Sequence, residues 1–174
     1  RPPSVYRGNP FVIEAAAAYG GELPSEEAVK LLRFANRVPL LYQQGGCAIT
    51  DMITKTNWKP YGLQQPQGSL PAGPAVLLVH IASVWVPFTS EAKEAVAHYP
   101  EIKKEIKLAL QEVGRKLSFY IRKKGRIKSE LKKRSYIKEY IPHISSALKE
   151  LIEDKSYDEE KVTNILTEML EQER

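Results

Sequence analysis

The sequence is poor in the residues that most often announce chemistry. Cys47 is the single cysteine among 174 residues, which excludes an internal disulfide and fits a reducing compartment. The three histidines, His80, His98 and His143, are scattered. With one thiol they offer no metal-ligand spacing, so no zinc site is expected. No Ser/His/Asp or Cys/His set has motif support, and no Gly-x-Gly-x-x-Gly follows a strand. The longest apolar run, residues 75–88, contains His80 and Ser83 and falls short of a membrane span. There is no internal repeat, low-complexity tract or signal-peptide pattern. The chain opens Arg-Pro-Pro-Ser without a methionine, which reads as a piece of something longer.

What is present is a chain long enough for one domain with a core, 43% hydrophobic and 27% charged, as soluble globular proteins are. The net charge of +5 is unevenly placed. Fourteen Lys/Arg between Lys103 and Lys138 face three acids, Glu105, Glu112 and Glu130, whereas residues 150–174 are acidic. A basic block this dense fits a polyanion and fits a solvated helix face equally.

Residues 1–10, rich in Pro and Gly, read as an incoming linker. Residues 11–19 are ambiguous: four alanines favour helix, while Phe11-Val12-Ile13 and the closing Gly20-Gly21 favour strand. Residues 31–42 read as one strand, with Pro39 arguing for an edge or a bulge. After a turn at Gln43–Gly46, a short helix places Ala48, Ile49, Met52 and Ile53 on one face. Residues 64–74, rich in Gln, Pro and Gly, read as a mobile connection. Residues 75–86 are continuously apolar, the pattern of a central strand buried on both faces. Thr89-Ser90-Glu91 predicts a helix over 91–97. Pro100 opens a longer one, whose Ile102, Ile106, Ala109, Leu110, Val113, Leu117 and Tyr120 share a face. This helix is expected to reach about Lys124 and to project beyond the sheet. Gly125 then interrupts, a basic helix follows over 127–140, and Pro142 breaks or kinks it. Segment 145–153 reads as a short amphipathic helix. A capping-box pattern from Ser156 to Glu159 opens the last helix, along which Val162, Ile165, Leu166, Met169 and Leu170 recur. This tail is small for a core of its own and is expected to dock on a partner.

Between the short helix and the apolar strand lies Asn57-Trp58-Lys59-Pro60-Tyr61-Gly62-Leu63. Proline biases the residue before it to extended geometry, which predicts Lys59 held out of helix between two aromatics. A stiff loop with one cation at its tip suits contact with an anion. Equally, Trp58 and Tyr61 are half-buried packing residues and Lys59 an ordinary solvated lysine. Other candidates have bland readings too: Cys47 as a small buried hydrophobe, His80 as a satisfied core histidine, Gly45-Gly46 as a plain turn rather than a phosphate cradle. Lys104, Arg115 and Arg122 lie on the outer side of the long helix, as phosphate contacts for DNA or as a solvated face.

Several separated stretches, in order, resemble one family. Arg7-Gly8-Asn9-Pro10-Phe11, the run Leu32-Arg33-Phe34-Ala35-Asn36-Arg37-Val38-Pro39-Leu40-Leu41-Tyr42, and Trp58-Lys59-x-Tyr61-Gly62 belong to the pattern. So do Leu78-Val79-His80-Ile81-Ala82-Ser83 and Val86-Pro87-Phe88-Thr89-Ser90-Glu91-Ala92-Lys93-Glu94. Together they resemble the transducer domain of the B subunit of DNA topoisomerase VI, an archaeal-like type IIB topoisomerase, over about residues 5–122. The resemblance implies an α/β sandwich like domain 2 of ribosomal protein S5, a mixed sheet with helices on one side and a left-handed crossover against the general right-handed rule. It settles 11–19 as strand. With the linker read over 1–10, the chain is expected to divide into a transducer with its stalk helix over 11–125 and a C-terminal helical extension over 126–174.

The same resemblance implies a role in ATP-dependent strand passage. Lys59 would be the switch lysine reaching the γ-phosphate of ATP held by a neighbouring nucleotide-binding domain, and Pro60 departs from the basic residue expected beside it. ATP and Mg2+ are then cofactors of the parent enzyme, with none bound by this segment alone, which is expected to be inactive. The implied partners are the A subunit in an A2B2 assembly, a second B subunit upon ATP binding, and double-stranded DNA, in the cytoplasm and without a membrane. Two other classes stay open: an S5-like nucleic-acid-binding module acting through its basic helix without ATP coupling, and an interaction scaffold whose C-terminal helices dock a partner.

Overall fold

The computed structural model describes residues 1–152 and 158–172. The chain forms two compact units, Arg1–Ile121 and Arg122–Arg174. The first contains a five-stranded mixed sheet of strands β1 (Ser4–Tyr6), β2 (Asn9–Tyr19), β3 (Lys30–Ala35), β4 (Val38–Pro39) and β5 (Ala75–Ser83), in the order β1-β2-β5-β3-β4. All neighbours are antiparallel except β3 and β5, which run parallel with Leu32 opposite Leu78. Helix α1 (Ala48–Lys55) lies in the crossover between those two strands.

Alternation decides which sheet face is covered. Phe11, Ile13, Ala35, Leu77, Val79 and Ile81 point to one side, and on that side they share a core with Ala48, Ile49 and Ile53 of α1 and with Ile102, Ile106, Ala109, Leu110 and Leu117 of helix α2 (Pro100–Leu151). Side chains one position along, Leu78 and His80 among them, are only half-buried on the opposite face. The expected burial of the central strand on both faces is therefore corrected. β5 is central in the strand order, but helices cover one side of the sheet.

Two segments fold as hairpins where the composition spoke otherwise. Residues 1–10 are not a linker: Ser4–Tyr6 pairs with β2 through a two-residue turn at Arg7 and Gly8, both with positive φ (46° and 81°). Residues 31–42 are not one strand, because Asn36 and Arg37 take φ of 48° and 70° and turn the chain into β4. Positive φ at both central residues gives a turn whose twist matches antiparallel strands. Pro39 lies on the edge strand, where its missing N–H is harmless.

Segments 64–74 and 91–97 also depart from expectation. The first is pinned rather than loose: Gln64 and Ala72 bond each other, Val29 N–H donates to the Pro71 carbonyl at 2.8 Å, and Gly73 N–H to the Glu27 carbonyl at 3.0 Å. The second forms no helix. Thr89 N–H donates to Ala95 O (2.9 Å) and Ala97 N–H to Pro87 O (2.9 Å), closing a loop that sinks Ala95 and Val96 into the core. Burying those two side chains outweighs a start signal worth a fraction of a turn.

Helix α2 does not end near Lys124. It continues through Gly125 and Pro142 as 52 residues, so the expected interruption and break are both corrected. One glycine costs a helix only about 1 kcal/mol. At Pro142 tertiary packing compensates, since neighbouring Ile141 and Ser145 are buried in the second unit. There α2 pairs with α3 (Glu159–Gln172): Ser145 Oγ donates to the Glu159 carbonyl at 2.9 Å, and Lys149–Glu159 and Lys138–Glu171 form ion pairs. Ser156 of the capping box lies outside the described residues. Asp158 caps α3 by accepting the Lys161 N–H at 3.0 Å.

Candidate functional site

The loop after α1 is built from a buried ring outward. α1 stops at Thr56, whose backbone turns extended while its Oγ donates to the Met52 carbonyl at 2.7 Å. Trp58 is fully buried and its Nε1–H donates to the Ile53 carbonyl at 2.9 Å, which fixes the loop to the last turn of α1. Gln65 clamps the other side: its Oε1 accepts the Trp58 N–H (3.1 Å) and its Nε2 donates to the Thr54 carbonyl (2.9 Å). Lys59, Pro60 and Tyr61 then form a single 3-10 turn closed by Gly62 N–H to the Lys59 carbonyl, with Gly62 at φ 89°. Lys59 is thus inside a tight turn rather than held extended. The pre-proline bias is overridden because Trp58 and Gly62 fix both ends of the turn.

The result is an exposed Lys59 on a rigid base. It borders a shallow polar hollow of about 410 Å³ with Thr54, Lys55, Thr56 and Asn57. A further anchor comes from α2. Tyr61 packs on Gly114, Ser118 Oγ donates to the Pro60 carbonyl at 3.4 Å, and Ile121 lies against Gly62. α1 and α2 are themselves tied through Asp51, which meets Lys55 at 2.8 Å and Lys103 at 2.9 Å. Burial alone would raise the Asp51 carboxyl; the two ammonium groups outweigh it and hold the group below the usual range.

Of the helix cations, Arg115 follows Gly114 directly, so the Lys59 loop is seated on the turn of α2 that carries Arg115. Lys104 is exposed three turns earlier along the helix and is not brought to the loop. Arg122 is exposed and opens the second unit. Cys47 is buried, its sulfur accepting the Val96 N–H at 3.4 Å, as expected of a small hydrophobe. His80 is not in the core. It lies on the open sheet face, where Nε2 accepts the Arg37 N–H (3.1 Å) and Nδ1 meets Glu14 at 2.7 Å. That bond holds the Glu14 carboxyl below its ordinary value.

Two features lie beyond what the sequence pattern indicates. Arg33 is buried, its Nη2 donating to the carbonyls of Leu40 (2.9 Å) and Tyr42 (3.0 Å). Its one signal is an arginine in the inward alternation with Leu31 and Ala35. The other is a cleft of about 640 Å³ at the C-terminal end of β5, lined by Arg7, Asn36, Trp85, Ser90, Lys93 and Tyr99 among others. Lys93 has φ 55°, a conformation that non-glycine residues adopt rarely and chiefly where structure demands it. The helix-start pattern at Thr89-Ser90-Glu91 conceals this turn. Arg7 stacks over the rings of Tyr6 and Tyr99, at 5.6 and 5.1 Å. Burial, then a hydrogen bond with Tyr99, push the Tyr6 phenol up to about 12. Among the described residues no group of three or more His, Cys, Asp or Glu could hold a metal ion, and no helix is long and apolar enough to cross a membrane.

A mixed sheet covered on one face by a crossover helix and a long C-terminal helix, with a lysine-tipped loop seated on that helix, defines a transducer-type α/β domain. The family described as topoisomerase VI B subunit, transducer, matches residues 1–134, and the chain belongs to it. Proteins named as the B subunit of type 2 DNA topoisomerase 6 align over most of the chain. That of Methanosarcina mazei is 51% identical over 88% of this chain and 25% of its own length; that of Archaeoglobus fulgidus is 48% identical over 93% and 27%. The chain thus spans about a quarter of these relatives. The DNA gyrase B subunit of Myxococcus xanthus superposes with a TM-score of 0.41 at 20% identity over 66% of this chain and 32% of that one, a likeness too loose to weigh on the fold.

Proposed function

We propose that this chain is the coupling part of an ATP-dependent type IIB topoisomerase. It carries ATP binding and hydrolysis in an adjacent domain of the B subunit to double-strand cleavage and passage by the A subunit, in an A2B2 cytoplasmic enzyme whose B subunits pair on binding ATP. Beyond the family match, the observation that carries this reading is the seat of the Lys59 loop: one exposed cation held between buried Trp58 and helix α2. A lysine suits such a contact because it is a point charge on a flexible stem, able to pair with a phosphate and release it. When bound in the parent enzyme, ATP supplies a γ-phosphate whose charge is present in one state and absent in the other. Mg2+ would accompany it there.

A second reading has its own support. The Lys59 hollow and the Lys93 cleft lie at opposite ends of β5, whose 9 residues span about 30 Å. Lys93 sits on a strained turn in a concave site with Arg7 and Ser90, a better-formed setting for a nucleotide phosphate than the shallow hollow. Lys59, whose loop is seated on the turn of the basic helix α2 that carries Arg115, would then contact the DNA backbone. Replacing each lysine by alanine in the assembled enzyme separates the two. If Lys59 meets the nucleotide, Lys59→Ala loses ATP-driven strand passage about tenfold or more and Lys93→Ala stays near wild type. If the roles are reversed, Lys93→Ala carries the loss, and Lys59→Ala lowers the salt dependence of duplex binding by about one contact. Wild-type passage in both variants contradicts either assignment.

A further inference from the structure

One edge of the sheet is longer than the strand beside it. β2 runs to Tyr19, but β1 pairs with it only from Asn9 to Phe11. Peptide groups along an antiparallel strand point alternately to either side. Gly20 N–H donates to the Pro74 carbonyl (2.7 Å) on the β5 side, whereas the Ile13 carbonyl accepts from the Arg1 amino group (2.9 Å) on the other. Ala15 and Ala17 share the parity of Ile13, so their N–H and C=O groups line the outer edge. Natural edges are blunted by lysine, proline or a bulge. Residues 12–19 contain no lysine or proline, and they pair with β5 residue for residue from Val12–Ala82 to Tyr19–Ala75. The side toward α2 is also unfilled here. Phe11 and Ile13 are buried, but Ala15 is half-buried and Ala17 exposed. A hollow of about 430 Å³ opens between this edge and Val113, Leu117 and Tyr120 of α2. Tyr19 bounds it, edge-on to Tyr120 at 6.3 Å.

We propose that the edge of β2 at Ala15 and Ala17, with the hollow beside it, is filled by one further strand: the stretch of the parent subunit that leads into Arg1, paired antiparallel to β2. The relatives named above have the polypeptide to supply it, since this chain spans 25% and 27% of them. Arg1 sets the direction and the register. Its nitrogen bonds Ile13 as a strand residue opposite Ile13 would, and its side chain reaches Glu105 of α2 at 3.4 Å. Followed upstream, the second residue before Arg1 stands opposite Ala15 and the fourth opposite Ala17. Opposed residues share a face, so these two side chains enter the hollow and are apolar, supplying the bulk that two alanines lack. A second copy of the chain is less suited, because Arg1 already holds the near end of the edge. The joint with the rest of the subunit is then a strand of the sheet and not a free linker. The proposal stands whichever lysine meets the nucleotide.

The test is amide hydrogen exchange in the assembled parent enzyme, resolved to single residues. Ala15 and Ala17 should exchange about a hundredfold or more slower than unpaired amides, as Ala16 and Ala18 do through β5. The second and fourth residues before Arg1 should be protected with them. Free exchange at Ala15 and Ala17 beside slow exchange at Ala16 and Ala18 overturns the proposal. So does protection of Ala15 and Ala17 without the residues before Arg1, which gives the edge to another chain, a second copy if the protection fades on dilution. Ala17→Trp probes the hollow. If the hollow is filled, the indole displaces the added strand and speeds exchange at Ala15 about tenfold or more, leaving Ala16 slow. Unchanged exchange at Ala15 in that variant shows the hollow empty and overturns the packing. Should Ala17→Trp fail to fold, the pattern in the unsubstituted enzyme decides by itself.

Discussion

Arg33 is the residue whose environment is most demanding. It is 3% exposed, and Nη2 alone serves two carbonyls of the segment after β4. Lysine places a compact, more strongly hydrated charge on a differently shaped stem in this buried position, so Arg33→Lys is expected to destabilise the chain by about 1–3 kcal/mol, measured by chemical denaturation. An unchanged midpoint would show that the loop after β4 does not depend on those bonds. Glu14 makes a pH-dependent contribution of the opposite visibility, since its side chain is 64% exposed and the effect is small. Its carboxyl is held below its unfolded value by His80. The stability it adds is therefore complete above about pH 5 and is lost as pH falls below about 4. Glu14→Gln should lie below wild type near neutrality and converge with it in acid. A difference that persists unchanged in acid would rule out this hydrogen bond as its source.

At the scale of elements, the patterns that carry furthest are those enforced by burial. The apolar run of β5 marks the middle of the sheet, Pro100 marks the start of α2, and Ile102, Ile106 and Leu110 mark the covered face. Where local signals compete with packing, packing prevails. The turns at Arg7-Gly8 and Asn36-Arg37 lack the Asn-Gly or Asp-Gly pairs by which such hairpins are usually recognised, so local pattern suggests a linker and a long strand instead. Segment 64–74 has the composition of a loose connection, and only long-range bonds to Glu27 and Val29 fix it. The loop at Lys59 is visible as aromatic, cation, proline and glycine in a row. Its fit to Gly114 is not, because nothing local tells a packing glycine from an idle one. Gly125 is the idle kind. Gly125→Ala should stabilise α2 by about 0.5–1 kcal/mol, seen as a higher denaturation midpoint, and a lower midpoint would mean that Gly125 has a packing partner of its own.

At the scale of the whole molecule, the proposed role is that of a relay inside a larger enzyme. The turn that seats the lysine loop lies within the basic stretch of α2, and the lysine-bearing cleft lies at the other end of β5. A phosphate arriving at either end of the sheet meets a lysine fixed to an element of the core. The most direct test is the double variant Lys59→Ala/Lys93→Ala in the assembled topoisomerase, followed by supercoil relaxation per ATP hydrolysed. The expected result is a folded enzyme whose passages per ATP fall about tenfold or more whichever lysine meets the nucleotide. Relaxation per ATP at the wild-type level would contradict the claim that this chain couples the two.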